Sequence, residues 1–466
     1  MEKIMQYVWQ HRLWRNEDML TNDGRKVRVL DPGLLNTDQG PDFFNAKVEI
    51  DGNTWVGNIE IHVRASDWRR HGHDTDKAYD NVILHVVEKD DAPVFRTNGE
   101  RIPQVVLECS PRFTERLNDL LQARTELPCA SALPTLPHLL ITEWTQALAF
   151  ERLHSKVGRI RELYDATCGN WEEVCYVTLS RNLGFGVNND AMERLARRTP
   201  LRLLHKHSDS LFQIEALLYG QAGMLPSPGS ASATVTCTAT TPGTSGTGTV
   251  PGTIGTATVP EASPSGKRAI LDHYTQQLTR EYAFLANKFS LTPMEGEAWK
   301  TFRMRPQNFP YRRIALLAHY LHNGFNLMQA LLEASDEKAL RALFSVELEG
   351  YWSTHYSLGK ESNMTTRALG ERSIDIILIN TVAPLYYAYG EISGNYEQQD
   401  RAIALLEALR PEENSIVAAF AAAGLKSDDA LTTQALIQLK REYCDARKCI
   451  YCKIGHRLLS TAARTK

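Results

Sequence analysis

Apolar and polar positions alternate with a period of two in several N-terminal stretches and recur at three- and four-residue intervals over most of the remaining chain. Ile4, Val8, Leu13 and Trp14 sit at roughly helical spacing, which predicts a helix over residues 2–15. Lys26–Leu30 alternates as a strand, and the loop DPGLLNTDQGPD after it is dense in turn-forming residues. Asn45–Asp51 and Thr54–Val63 read as two strands joined by a hairpin turn at Gly52-Asn53. Helical propensity returns between Ser66 and Tyr79, with Ser66 or Asp67 as N-cap. Asn81–Glu88 is almost continuously apolar, as expected of a strand buried on both faces. A last hairpin turns at Asn98-Gly99. The predicted order is therefore helix, three strands, helix, strand.

From about Leu139 the period lengthens to that of helices. Helices are expected at Ile141–Leu163, Trp171–Leu183, Asn189–Arg197, Leu211–Leu225 and Ala269–Phe289, then at Arg313–Leu332, Ile374–Tyr389, Gln398–Leu409, Ser415–Ala423 and Ala430–Tyr443. Between Pro226 and Gly266 a Thr/Ser/Gly/Pro run, with almost no charge and little to build a core from, reads as a flexible insertion within one helical domain. Cys237 falls inside it. The pattern predicts an α+β protein: an α/β domain over residues 1–135, with a central mixed sheet and flanking helices, then a larger all-α domain over 136–466.

Composition changes this picture little. With 43% hydrophobic and 23% charged residues, the 466-residue chain has the make-up of an ordinary globular protein of two or three domains. A formal net charge of −3 excludes a global basic field, though not a local basic cleft. No stretch has the length of a membrane span, and the N-terminus lacks a secretory signal pattern. The eight cysteines do not form a secreted disulfide framework, so a cytoplasmic location without membrane attachment is expected.

The chemistry concentrates between Gly40 and Val87, where Asp42, Glu49, Glu60, His62, Asp67, His71, His73, Asp74 and His85 crowd into strand-rich sequence. Such groups on core strands are costly unless something uses them. Glu60 and His62, two residues apart, share one strand face, and Arg64 follows on the same side. In this element order, Pro41-Asp42 followed one hairpin later by Glu60-Ile61-His62 resembles the PD-(D/E)XK nuclease superfamily, whose domain is restriction-endonuclease-like. The resemblance implies that Asp42 and Glu60 hold a divalent metal, Mg2+ or Mn2+, and that His62 stands where the superfamily has a water-activating Lys. Hard cations do prefer carboxylate oxygens, and imidazole can orient or deprotonate water near neutral pH. Glu49, on the facing strand, is a candidate additional acid.

Around this core, Arg64, Trp68, Arg69, Arg70, His71 and His73 suit phosphates and a stacked base, so they are candidate substrate-binding residues. His62, His71, His73 and His85, with Asp67 or Asp74, also suit a zinc or manganese centre. A second Arg/aromatic set, Arg303, Arg305, Arg312 and Arg313 among Phe302, Phe309 and Tyr311, reads either as a nucleic-acid patch or as a rigid turn whose arginines serve neighbouring helices. At the C-terminus, Cys444, Cys449, Cys452 and His456 (C-x4-C-x2-C-x3-H) can hold a structural Zn2+. An iron–sulfur cluster borrowing Cys109 or Cys129 as its fourth thiolate, and three free thiols, are the alternatives. Some PD-(D/E)XK nucleases carry such a cluster.

Beyond the insertion, GPDF at Gly40–Phe43, G-x-I-E-I-H at Gly57–His62, SDW-x2-H-x-H at Ser66–His73, RP-x-NFP at Arg305–Pro310 and the terminal cysteines together resemble a bacterial family of unknown function. That resemblance implies architecture and no activity; the expectation drawn from the PD-(D/E)XK resemblance is a Mg2+- or Mn2+-dependent endo- or exonuclease, or a nuclease-derived binding protein, whose partner is nucleic acid, DNA ahead of RNA. The alternatives are a non-catalytic scaffold using the same sheet face and a zinc-dependent hydrolase using His71, His73 and His85.

Overall fold

A computed structural model describes residues 1–15, 19–226, 272–295, 299–302, 304–322, 324–362 and 368–464. The expected insertion, with Cys237, and Arg303 lie outside the described residues, apart from Pro226 at the insertion's start. The chain divides into two compact units: residues 1–152, 413–428 and 432–466 form the first, and 153–412 with 429–431 form the second. The first therefore runs past the expected boundary at residue 135, and the C-terminal cysteines belong with the sheet.

The first unit opens with helix α1 (Glu2–Gln10) and continues through strands β1 (Met19–Leu20), β2 (Lys26–Asp31), β3 (Leu34–Leu35), β4 (Phe43–Ile50) and β5 (Asn53–Arg64). A short helix α2 (Asp67–Arg70), strands β6 (Val82–Lys89) and β7 (Gln104–Val106) and helix α3 (Pro111–Gln122) follow. The sheet is mixed and runs β1-β2-β4-β5-β6-β7, with β3 paired to β4. β2, β4 and β5 are antiparallel, whereas β6 joins β5 in parallel and β7 joins β6 in parallel.

Alternation along β5 decides which chemistry is presented. Ile59 and Ile61 enter the core built with Val8, Trp9, Phe43, Val48, Val86 and Phe113, so Glu60 and His62 project from the opposite face. Burying each aliphatic side chain contributes about 1.5–3 kcal/mol, which fixes this register. β6 is buried on both faces, as its apolar run predicts: Leu84 and Val86 join that core, while Val82 and Val87 pack with Ala65, Trp68 and Ile102.

Three local features differ from expectation. The β4–β5 turn is Asp51-Gly52, not Gly52-Asn53, because a two-residue turn of this hand needs positive φ at both positions. Asp51 (φ 49°) and Gly52 (φ 79°) supply it, and Ile50 pairs with Asn53 across them. The helix expected over 66–79 is one turn, followed by a loop through Gly72 (φ 79°) and a 3-10 turn at Lys77–Tyr79. The N-terminal helix stops at Gln10, and the left-handed Arg12 (φ 52°) redirects the chain.

The second unit is helical around one core, with helices including Trp171–Leu183, Asn189–Arg198, Leu211–Gln221, His273–Phe289, Pro310–His322 and Ala383–Ser393. Here the Arg/aromatic set resolves largely into internal structure. Arg312 is buried and donates to the Trp352 carbonyl at 2.8 Å. Arg313 is buried against the Phe185 ring and donates to Asn308 Oδ1 at 2.6 Å. Neither guanidinium faces solvent, so these two arginines follow the rigid-turn reading rather than the nucleic-acid one; Arg305 and Phe302 are exposed.

Candidate functional site

A β-bulge sets up the acidic pair. The β4–β5 register shifts between Phe43 and Ala46, where Asn45 has a positive φ of 54°. Phe43 pairs with Ile59 beyond the bulge, which brings Asp42 beside Glu60. The Asp42 backbone N–H donates to Glu60 Oε2 (3.0 Å), and the Ile61 N–H donates to Asp42 Oδ2 (3.0 Å). Gln6, on α1, donates to Asp42 Oδ1 at 2.8 Å. Burial first, and the Glu60 carboxylate second, hold the Asp42 carboxyl well above the usual range.

The other Glu60 oxygen faces imidazoles. Oε1 lies 3.3 Å from His73 Nε2 and 3.5 Å from His62 Nε2. His62 Nε2 is in turn 3.1 Å from His71 Nδ1 and 3.9 Å from Glu2 Oε1. Ligand atoms of His62, His71 and His73 all lie within 4.8 Å of one another, the group of this kind among the described residues. His71 and His73 can both reach this point because α2 ends at His71 and Gly72 reverses the chain. On the longer helix expected from sequence, residues two apart would diverge.

Behind His62, its Nδ1 meets His85 Nε2 at 2.9 Å across the parallel β5–β6 pair. Burial, then the neighbouring imidazoles His85, His73 and His71, depress His62 to about 2. Burial, then His73, depresses His85 to about 3. Both rings are therefore neutral near pH 7, the form that ligates metals. The Tyr79 ring stacks on His73 at 3.7 Å between centroids. Burial, then Glu60, raises the Tyr79 hydroxyl to about 12.

Glu60 and His62 occupy the centre of the cluster, with Asp42 bonded to Glu60 from one side. His71 and His73, expected among residues that touch substrate, belong to the inner cluster, with His73 buried. Trp68 cannot stack on a base: it is fully buried, donates from Nε1 to the Phe95 carbonyl at 3.1 Å, and packs edge-on to His73 and His85. Arg64, Arg69 and Arg70 are exposed, and Arg70 pairs with Asp67 at 3.0 Å. Glu49 pairs in register with Thr54 beside the β4–β5 turn, at the strand end opposite Asp42, so it is not an acid of this site. Glu2, Gln6 and Tyr79 are the participants missed from sequence. An acid in the first helical turn was the signal available for Glu2, but the helix was read only through its apolar stripe.

The donor set fits a divalent cation. Three imidazole rings and the Glu60 carboxylate converge, with a second carboxylate, Glu2, at the edge. Nitrogen-rich sets with a carboxylate suit Mn2+, Fe2+ or Zn2+ better than Mg2+, which favours oxygen alone. Taken together, fold and site define a mixed-sheet α+β protein with a histidine–carboxylate cluster at its centre. Residues 2–415 match the family described as "Protein of unknown function (DUF2851)", and the chain belongs to that family. Neither the curated proteins nor the solved structures searched gave a match. Among the described residues, no helix is long and apolar enough to cross a membrane.

Proposed function

We propose that the protein is a divalent-metal-dependent phosphodiesterase acting on nucleic acid, with Glu60, His62, His71 and His73 as metal ligands and Asp42 as the group that fixes Glu60. The observation carrying this reading is the approach of His62 and His73 Nε2 to one Glu60 oxygen, at 3.5 and 3.3 Å. The restriction-endonuclease-like assignment draws support from the element order: a helix, three antiparallel strands, a short helix and a parallel strand, with Asp42 immediately before the second of the main strands and Glu60 on the third. Exposed Arg64, Arg69 and Arg70 suit the phosphate backbone of a substrate.

A bound divalent cation would supply Lewis-acid stabilisation of phosphoryl charge and acidify an attacking water. The protein's own contribution is orientation. Asp42 directs Glu60 through its backbone N–H, and His85 accepts the Nδ1 proton of His62 so that Nε2 offers a lone pair. No lysine stands at position 62 and the imidazoles serve as ligands, so proton removal falls to Glu2.

The test is cleavage of labelled single- and double-stranded DNA and of RNA by chelator-treated protein resupplied with Mn2+, Zn2+, Fe2+ or Mg2+. Wild type should cut with Mn2+ or Zn2+, and Glu60→Gln and His71→Ala should lose at least 100-fold. Absence of cleavage with every substrate and metal, or equal cleavage by both variants, overturns the proposal.

A further inference from the structure

Away from the histidine cluster, a second set of metal-ligating side chains gathers where the end of the chain returns to the first unit. Cys444 and Cys452 are buried, and Cys449 and Cys129 are half-buried. Cys129 and Cys449 pack against the same core, the one that includes Phe113, Leu117, Leu120 and Leu459. The loop between Cys444 and Cys449 is tied to the segment leading to Cys129 by Arg447, which donates to the carbonyls of Ala123 (2.6 Å) and Thr125 (3.2 Å). Gly455 permits the close return: a Cβ there would lie 2.0 Å from the Cys449 carbonyl oxygen.

The four thiols sense one another electrostatically. After burial, Cys129, Cys452 and Cys449 raise Cys444, while Cys452 and Cys449 raise Cys129. As thiolates these four groups would repel one another, so ionising them together needs a cation between them. Burial pushes all four thiols up, and fixed groups around them act in the opposite sense. Lys440 favours the ionised form of Cys444, Arg447 that of Cys449 and Arg116 that of Cys129. The N–H groups of Ile454 and Gly455 favour that of Cys452. The indole N–H of Trp144, nine-tenths buried, has no partner at hydrogen-bonding geometry, yet it too favours the Cys452 thiolate.

Two other candidates face other partners. His456 turns Nδ1 to the Tyr7 hydroxyl at 2.7 Å. Cys109 bridges to Trp14 and, burial aside, is influenced by Glu88 rather than by another thiol. Spacing then separates the occupants. Four thiolates on one zinc ion stand about 3.8 Å apart, from Zn–S bonds of about 2.3 Å in a tetrahedron. Among the described residues, the ligand atoms drawn together within 4.8 Å are those of the three histidines, and no three of these thiols form such a group. A wider ring of thiolates is what a multi-iron cluster requires.

We propose that Cys129, Cys444, Cys449 and Cys452 ligate an iron–sulfur cluster that fastens the C-terminal segment to the residues around Cys129. This does not rest on the chemistry at Glu60, and acid-labile sulfide distinguishes it from iron bound by the histidines. Full-length protein purified without oxygen should contain about four iron and four sulfide per chain, as a [4Fe–4S] centre does, with visible charge-transfer absorption. Cys129→Ser should lose most of the sulfide and the absorption, whereas His456→Ala and His71→Ala should keep both. Zinc in place of iron, no sulfide in the wild type, or full sulfide in Cys129→Ser overturns the proposal. If Cys129→Ser is insoluble, the wild-type sulfide content and its retention in His456→Ala decide the matter.

Discussion

His62 and His85 lie on neighbouring parallel strands with Nδ1 and Nε2 2.9 Å apart, and both rings are buried. One proton is shared along that line. If His62 ligates through Nε2, the proton sits on its Nδ1 and His85 is the acceptor. The His85 Nδ1 is then left without a partner, with the Trp68 ring 5.2 Å away. Outer-shell partners of this kind are worth about 10–100-fold in metal affinity. His85→Ala should therefore weaken Mn2+ or Zn2+ binding at the cluster by about that factor, read by chelator competition. His85→Gln, which keeps an acceptor oxygen, should lose less. Equal affinity in all three proteins would show that His85 does not orient His62.

The acid pair makes stability depend on pH with a definite sign. Asp42 is pushed up to about 7 from an ordinary 3.8. Its contribution is complete below the unfolded value and is lost as pH rises through about 7. Metal-free Asp42→Asn should therefore match wild type near pH 4 and be more stable above pH 7, by at most about 4 kcal/mol. His62 and His85 act in the opposite sense: both are depressed, so their contribution is present above about 6.5 and is lost as pH falls toward 3 and 2. Thermal unfolding of the two proteins between pH 4 and 8 checks both slopes.

Gly57 faces β6 so closely that a Cβ would lie 2.4 Å from Ile83 Cγ2 and 2.9 Å from the Asn81 carbonyl oxygen. The Ile83 methyl can yield, but the backbone oxygen cannot. Gly57→Ala should cost about 1–3 kcal/mol, typical of overpacking. Because Glu60 and His62 follow on the same strand, it should also weaken metal binding. Denaturant unfolding and chelator competition on the same preparation measure both effects.

What the sequence made legible follows period and chemistry. The alternation that set Glu60 and His62 against Ile59 and Ile61, and the doubly buried run of β6, are local properties, and both appear in the structure. Helix Trp171–Leu183 matches its expected bounds for the same reason. What could not be read is long-range or depends on single dihedral angles. The bulge at Asn45 and the reversal at Gly72 decide that Asp42 and His73 approach Glu60 and that His71 approaches His62, yet each is one residue in an otherwise regular pattern. Glu2 and Gln6 join only because α1 packs against β5. Trp68, read as a stacking surface, is buried because α2 closes over the sheet beside Ala65 and Val87. The closeness of Cys129 to the C-terminal cysteines links positions more than 300 residues apart in the chain.

In the second unit, Gly220 sets two effects of known size against each other. It lies inside helix Leu211–Gln221, where replacing Gly with Ala ordinarily gains about 1 kcal/mol. A Cβ at this position, however, would stand 2.0–2.4 Å from the Tyr282 ring of helix His273–Phe289. That ring is buried, and its hydroxyl accepts a hydrogen bond from Gln221 Nε2 at 2.9 Å, so it cannot swing aside without breaking the bond. Overpacking of about 1–3 kcal/mol and a lost buried hydrogen bond of about 1 kcal/mol together exceed the propensity gain. Gly220→Ala should therefore lower the thermal midpoint. The same change in a Tyr282→Leu background should be close to neutral or stabilising, because the clash is gone and only helix propensity is left. A raised midpoint for Gly220→Ala in the wild-type background would mean that the two helices separate more easily than their contact implies.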